Sequence, residues 1–311
     1  MHSSDFLLLT LLAGQTTAHG VVTMVRGANG VNMPGLSVAD GTPRDCSTNK
    51  CGSQADTAII RDREIRSGEV GPLGRTQGNG PIDAATMIAS FMGTGTAPRV
   101  NAANSSVGVE DDLSGLGGGG GRGGRAGQNK REEVGGGGAL KVARQFLKGL
   151  LGGLGGGGGG TKSTVATESN VAATAGEGAS SGLPTCADDG SIEMVFHQDG
   201  AGPLDAAVDG TSGGTDPAAF KTAKVSQDVP GLGFQGLSLA TSKDFPLTVQ
   251  MPAGMTCDAT VAGVNNVCVV RVRNGAGAGP FGGSAAFTMS AGARKRAVAY
   301  RLKKRGQVFK A

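Results

Sequence analysis

The feature that most constrains this chain is a glycine-rich stretch in its middle. Residues 115 to 160 contain 22 glycines in 46 positions. Glycine loses more backbone freedom on folding than other residues and has no side chain to bury, so such a stretch cannot offset the entropy cost of ordering it. We therefore predict a disordered, low-complexity linker, assigned to residues 115–182 and inserted into a single folded domain.

The two flanking segments, residues 19–114 and 183–290, are expected to share that domain, because each alone would have a thin core. Ile192, Met194 and Phe196 alternate with more polar residues, which is typical of a half-buried strand. Short strands separated by many Gly and Pro turns predict an all-β fold, an immunoglobulin-like β-sandwich with long loops. Further strands are predicted at residues 19–25, 245–251, 267–272 and 285–289, and a short helix after Pro81 and Asp83.

The N-terminus has the pattern of a signal peptide, assigned to residues 1–18. Phe6 to Ala13 is a short apolar run, and Thr16 and Ala18 are small residues at positions −3 and −1 of a cut before His19. No later apolar run reaches about 18 residues, so no transmembrane segment is expected. The sequence thus predicts a secreted protein, extracellular or at the cell surface, and the sequon at Asn104 predicts a glycoprotein.

Five cysteines in such a chain indicate disulfide bonds. Cys46 and Cys51 are close enough in the sequence to close a short loop with a disulfide bond. Cys257 and Cys268 bracket a predicted hairpin with Gly263 and Asn265-Asn266 at its turn. Cys186 is left over, either as a free thiol or because the pairing differs.

Charge is concentrated at the C-terminus, in residues 291–311. The last 53 residues contain no acid, and eight Lys or Arg residues occur from Arg294 onward. A basic tail of this kind suits an anionic surface such as a cell wall, lipid head groups or nucleic acid, and the plain alternative is a solvated, disordered tail. No motif for specific nucleic-acid binding is present. The linker adds a basic amphipathic segment at residues 139–151 and a dibasic pair, Lys130-Arg131, as a candidate processing site.

Several stretches together resemble one family of secreted fungal proteins. They include HGVVTMVRGANGVNMPGL, LGRTQGNGPIDAA and VRVRNGAGAGPFGGSAAF. The chain resembles the appressorium-associated, powdery-mildew-type (Egh-like or Mas-type) virulence factors over nearly all residues outside 117–165. The resemblance implies a role where a fungus penetrates its host. In the family pattern a cysteine follows GPFGG, whereas this chain has Ser284, so a family disulfide scheme does not transfer to Cys186.

His19, exposed as the new N-terminus, would offer its α-amine and its imidazole Nδ1 to one metal ion. A second histidine completes a three-nitrogen site, which suits copper. With His2 removed, His197 is the remaining histidine. This N-terminus resembles the histidine brace of lytic polysaccharide monooxygenases. His197 alternates with the apolar residues of its strand, so we predict that it faces solvent.

Brace proteins usually shield the axial copper position with an aromatic ring. Phe281 is the first candidate for this non-ligating role, and Tyr300 is the second. No Ser–His–acid triad is expected, because both histidines are used and no nucleophile-elbow motif occurs.

Two functions remain open. One is a non-catalytic secreted surface protein that acts at host penetration and binds copper. The other is a copper-dependent, monooxygenase-like oxidase of cell-wall or host-surface polysaccharide. The chain has no Trp and one Tyr, which counts against the flat aromatic face that usually binds polysaccharide.

Overall fold

Antiparallel strands dominate the structure, a computed structural model that describes residues 19–46, 51–100, 160–163, 165–198, 202–231 and 242–308. Thirteen strands are present in these ranges. They are β1 (Gly20–Arg26), β2 (Asn32–Pro34), β3 (Ala58–Ile59), β4 (Arg75–Thr76), β5 (Gly80–Pro81), β6 (Thr161–Lys162), β7 (Ser191–Gln198), β8 (Asp205–Asp209), β9 (Phe220–Gln227), β10 (Lys243–Gln250), β11 (Ala259–Val261), β12 (Val264–Arg273) and β13 (Phe281–Phe287).

The helices in the described ranges are mostly short. They are α1 (Asp62–Ser67), α2 (Ala84–Phe91), α3 (Asn170–Ala173), α4 (Gly178–Ser181) and α5 (Ala291–Val308). The predicted helix after Pro81 is confirmed as α2, whose N-cap Asp83 accepts a hydrogen bond from the Ala85 amide. None of the helices in these ranges combines the length and the apolar character needed to cross a bilayer.

The strands follow the order β2-β1-β7-β10-β9-β8-β12-β13-β3-β4-β5, with β6 added to β10 and β11 to β12. The sheet curls, so that β13 packs against β1 without pairing with it. Glycine permits this approach: a Cβ at Gly283 would lie 2.6 Å from the Val22 amide nitrogen. The predicted all-β, sandwich-like fold is confirmed.

Strands from both sides of the glycine-rich stretch pair with one another. β1 pairs with β7, and β3 pairs with β13. Residues before position 101 and after position 159 therefore contribute to the same sheet.

The core is mostly aliphatic, and phenylalanines are its largest side chains. Ile192, Met194 and Phe196 are buried, as their alternation predicts. β13 is buried at every position, because its small residues let both of its faces be covered. Fully burying one such apolar side chain contributes about 1.5–3 kcal/mol, so the alternation of β7 also fixes its register.

Both predicted disulfides are present, Cys46–Cys51 and Cys257–Cys268. The second one joins β12 to the segment before β11. Ala262 and Gly263 connect these two strands and both have positive φ angles, 48° and 79°, as a two-residue hairpin turn requires. Cys186 is a buried free thiol.

The end of the predicted linker is folded, which differs from the assignment of residues 115–182. Thr167 forms a bridge with Pro43. Buried Arg44 donates to Asp56 at 2.9 Å and to Glu168 at 3.0 Å. The glycine run ends at Gly160, and the residues after it have side chains that can form such contacts.

The basic C-terminus also differs from a solvated tail. Ala291–Val308 form α5, an 18-residue helix. Ala293 and Ala297 are buried, and they are four residues apart and so on one face of the helix.

Candidate metal centre

His19 and His197 are brought to the same end of two neighbouring strands. His197 lies in β7 and pairs with Val21 of β1. His19 directly precedes β1, two residues before Val21. The antiparallel register of β1 and β7 therefore gathers the two histidines of the predicted site.

His197 is buried, which contradicts the prediction that it faces solvent. Only 4% of His197 and 4% of His19 are exposed. β7 is a central strand, and His197 has a cross-strand neighbour on each side, Val21 on β1 and Asp244 on β10. Alternation along a strand assigns a residue to a face, but it does not tell whether that face is covered.

Asp244 holds the imidazole of His197. Nδ1 of His197 lies 2.7 Å from Oδ1 of Asp244. An ionised carboxylate only accepts hydrogen bonds, so Nδ1 carries a proton and donates it. The lone pair of the neutral imidazole is then on Nε2. Metal-binding histidines commonly have this second contact, because it fixes the tautomer and the orientation of the ring.

Nε2 of His197 is buried and has no hydrogen-bond partner among the described residues. A buried nitrogen without a partner costs about 1–3 kcal/mol. A metal ion would satisfy this lone pair, and the imidazole is a ligand that copper accepts. Nε2, on the opposite side of the ring from Asp244, is therefore suited to bind a metal ion.

Phe281, the first candidate for the aromatic neighbour of the site, packs against His19. The two ring centroids are 3.9 Å apart, and the rings are tilted by 35°. Phe281 begins β13 and is 1% exposed, so it is fixed by the core. Its role toward copper remains a prediction. Tyr300, the second candidate, lies on α5 and lines a cavity beside Gly254 instead.

Gly20 separates His19 from the strand partner of His197. A Cβ at Gly20 would overlap the ring of Phe196. A glycine is therefore required here for β1 to lie against β7. The approach of the two strands, and with it the placement of both histidines, depends on this position.

Within the described residues, no three or more His, Cys, Asp and Glu side chains are arranged to hold a metal ion. A brace would need two imidazoles and one α-amine, which is a different donor set. The site therefore depends on cleavage before His19, and residues 1–18 lie outside the described residues, as do Asn104, Lys130-Arg131 and residues 139–151.

Asp244 is the residue of the site that sequence reasoning missed. It begins the segment predicted as a strand near Phe245, but nothing in the sequence pairs it with His197. The pairing follows from the register of β7 and β10, in which Phe196 also faces Phe245. A single chain does not reveal such a register before the strand order is known.

Fold and site describe a β-sandwich-like protein with a buried pair of histidines at one end. The sequence pattern of the Egh16-like virulence factors matches residues 17–282. The chain belongs to this family of virulence factors. It is 49% identical over 307 residues to the appressoria-specific virulence factor GAS2 of Pyricularia oryzae, covering 98% of this chain and 94% of that protein.

A second relative is more distant. The appressoria-specific virulence factor GAS1 of Pyricularia oryzae is 36% identical over 129 residues, which cover 39% of this chain and 50% of that protein. No solved structure matches the chain. Family membership and the GAS2 relationship support a virulence-associated role.

Proposed function

We propose that this protein is a secreted virulence factor that acts at host penetration and binds one copper ion at His19 and His197. The ligands would be the α-amine and Nδ1 of His19, with Nε2 of His197. The contact between His197 and Asp244 carries the proposal, because it leaves Nε2 buried and free of any hydrogen bond from the described residues. Copper would add a centre that cycles between two oxidation states.

The chain's own residues would prepare the site. Asp244 keeps the proton of His197 on Nδ1 and so directs the Nε2 lone pair away from the carboxylate. Phe281 limits the movement of the His19 ring by packing on it. The low exposure of both histidines excludes water, which strengthens charge interactions at the site.

Oxidation of a polysaccharide is the second candidate, and Phe281 is the observation that favours it. Its ring lies beside His19, where brace enzymes are expected to place an aromatic residue. The composition of the chain counts against this candidate, because flat polysaccharide surfaces are usually bound by Tyr and Trp, and the chain has one Tyr and no Trp. Among the described residues, Tyr300 on α5 is the one exposed aromatic side chain of large size.

The first test is copper binding by the secreted chain. Intact mass should show a start at His19. Calorimetry should give one copper per chain, and electron paramagnetic resonance should show an axial signal with three nitrogen ligands. His197→Ala removes one ligand and should weaken binding at least tenfold, about 1.4 kcal/mol.

A chain with one extra residue before His19 is the matched variant. It keeps both imidazoles but moves the amine away, and it should lose affinity to a similar extent. Unchanged affinity in both variants would remove the copper site. Release of oxidised oligosaccharides from chitin or cellulose by the copper-loaded chain, but not by His197→Ala, would favour the second candidate.

A further inference from the structure

One face of α5 is fixed to the body of the protein. Ala293 and Ala297 are buried. The guanidinium group of Arg301 donates to the Gly254 carbonyl at 2.6 Å, and that of Arg296 donates to the Asp188 carbonyl at 3.0 Å. These contacts leave the other side of the helix turned outward.

That outer side exposes apolar residues. Val298 is 44% exposed and Leu302 is 62% exposed. They are four residues apart, so they lie on one face of the helix, one turn from each other. Of the four large hydrophobic residues that are exposed in the described chain, three lie on α5 and the fourth is Val165. This concentration on one helix distinguishes it from ordinary scattered surface residues.

Cations surround the two apolar residues. Lys295 lies three residues before Val298, and Arg305 three residues after Leu302, so both border the same face. Both side chains are exposed, and neither forms an ion pair with another described residue. The helix contains no acidic residue.

We propose that the outer face of α5 docks on an anionic lipid bilayer, with Val298 and Leu302 entering the boundary between head groups and acyl chains. Lys295 and Arg305 would contact lipid phosphates and carboxylates. A soluble polyanion would interact favourably with the cations alone, whereas a bilayer also removes Val298 and Leu302 from water. The combination of exposed apolar residues with unpaired cations therefore favours the bilayer. This inference does not depend on copper.

The test is flotation of the full chain with two kinds of vesicle. Vesicles of phosphatidylcholine alone should not carry the protein, and vesicles with about one-third phosphatidylserine should carry it at low salt and release it at high salt. Lys295→Gln with Arg305→Gln should weaken binding roughly thirtyfold, since the double variant removes both cations that border the apolar face. Lys221→Gln with Lys224→Gln, at exposed positions on β9, removes the same charge and should have little effect.

The apolar contribution needs its own pair of variants. Val298→Gln with Leu302→Gln keeps every charge and suits a helix, and it should weaken vesicle binding several-fold. Val165→Gln is the control, because this residue is exposed outside α5. Circular dichroism should show an unchanged helix.

A DNA-binding assay distinguishes a soluble polyanion from a lipid bilayer as the partner of α5. Equal DNA binding by the wild type and by the Val298→Gln, Leu302→Gln protein, without binding of either to anionic vesicles, would overturn the proposal in favour of a polyanion. Failure of the wild type to float with anionic vesicles would overturn it as well.

Discussion

The His197 ring and the Asp244 carboxylate are joined across β7 and β10, with Nδ1 and Oδ1 2.7 Å apart. The carboxylate is about one-third exposed, while the imidazole is almost completely buried. Asp244 thus connects a buried ring to the surface. A change at Asp244 reaches Nε2 of His197 without removing any proposed ligand.

Asp244→Asn should weaken copper binding by about tenfold or more, because the amide has no charge to hold the Nδ1 proton of His197. Calorimetry measures the affinity, and electron paramagnetic resonance should still show three nitrogen ligands. Asp205→Asn, at an exposed position on β8, is the matched control and should bind as the wild type does. Wild-type affinity in Asp244→Asn would mean that the carboxylate does not position the ring.

Asp209 predicts a dependence of stability on pH. Burial raises the pKa of Asp209, but hydrogen bonds from Ser212, Thr211 and Gly214 outweigh it and hold the pKa below its ordinary value. A depressed pKa in the folded state contributes stability above the unfolded pKa of about 3.9, and this contribution is lost as the pH falls through the folded value.

Asp209→Asn should therefore be less stable than the wild type near neutral pH, and the difference should shrink in acid below about pH 4. Urea unfolding at several pH values measures the difference. A difference that stays constant into acid would show that the charge of Asp209 is not its source.

Gly283→Ala should lower the free energy of unfolding by about 1–3 kcal/mol, since the added methyl would press on the backbone of Val22 and separate β13 from β1. Thermal or urea unfolding measures this change. Gly275→Ala is the control, because no atom lies within 4 Å of its added Cβ. Equal stability of the two variants would contradict the close packing of β13 on β1.

Asp56→Asn should cost about 3–5 kcal/mol, because it leaves buried Arg44 with Glu168 as its remaining anion. Burial lowers the pKa of Arg44, but Asp56 and Glu168 raise it by more, so the guanidinium stays charged. Asp45→Asn, at the exposed neighbouring position, should change stability little. Chemical unfolding compares the two variants. Equal losses of stability would show that the buried ion pair between Arg44 and Asp56 is not the cause.

The sequence predicted strands and disulfides well because their signals are local. The alternation in β7 and the spacing of Cys257 and Cys268 each involve a few neighbouring residues. The prediction that His197 faces solvent was wrong, because the segments that cover a strand face are distant in the chain. The His197–Asp244 contact was missed for the same reason. Glu168 was assigned to the linker because its contact with Arg44 spans 124 residues, which no local pattern encodes.

The pairing of N-terminal strands with C-terminal strands also determines when the sheet can fold during synthesis. The Thr23 hydroxyl, on β1, bonds to the Val195 carbonyl 172 residues later, and Arg61, next to β3, bonds to the Gly279 carbonyl 218 residues later. Contacts of such separation close slowly, because the loop entropy must be overcome before they form. The N-terminal third of the chain leaves the ribosome well before its partners in the sheet. Its apolar strands must then be kept from aggregating until nearly the whole polypeptide has been synthesised.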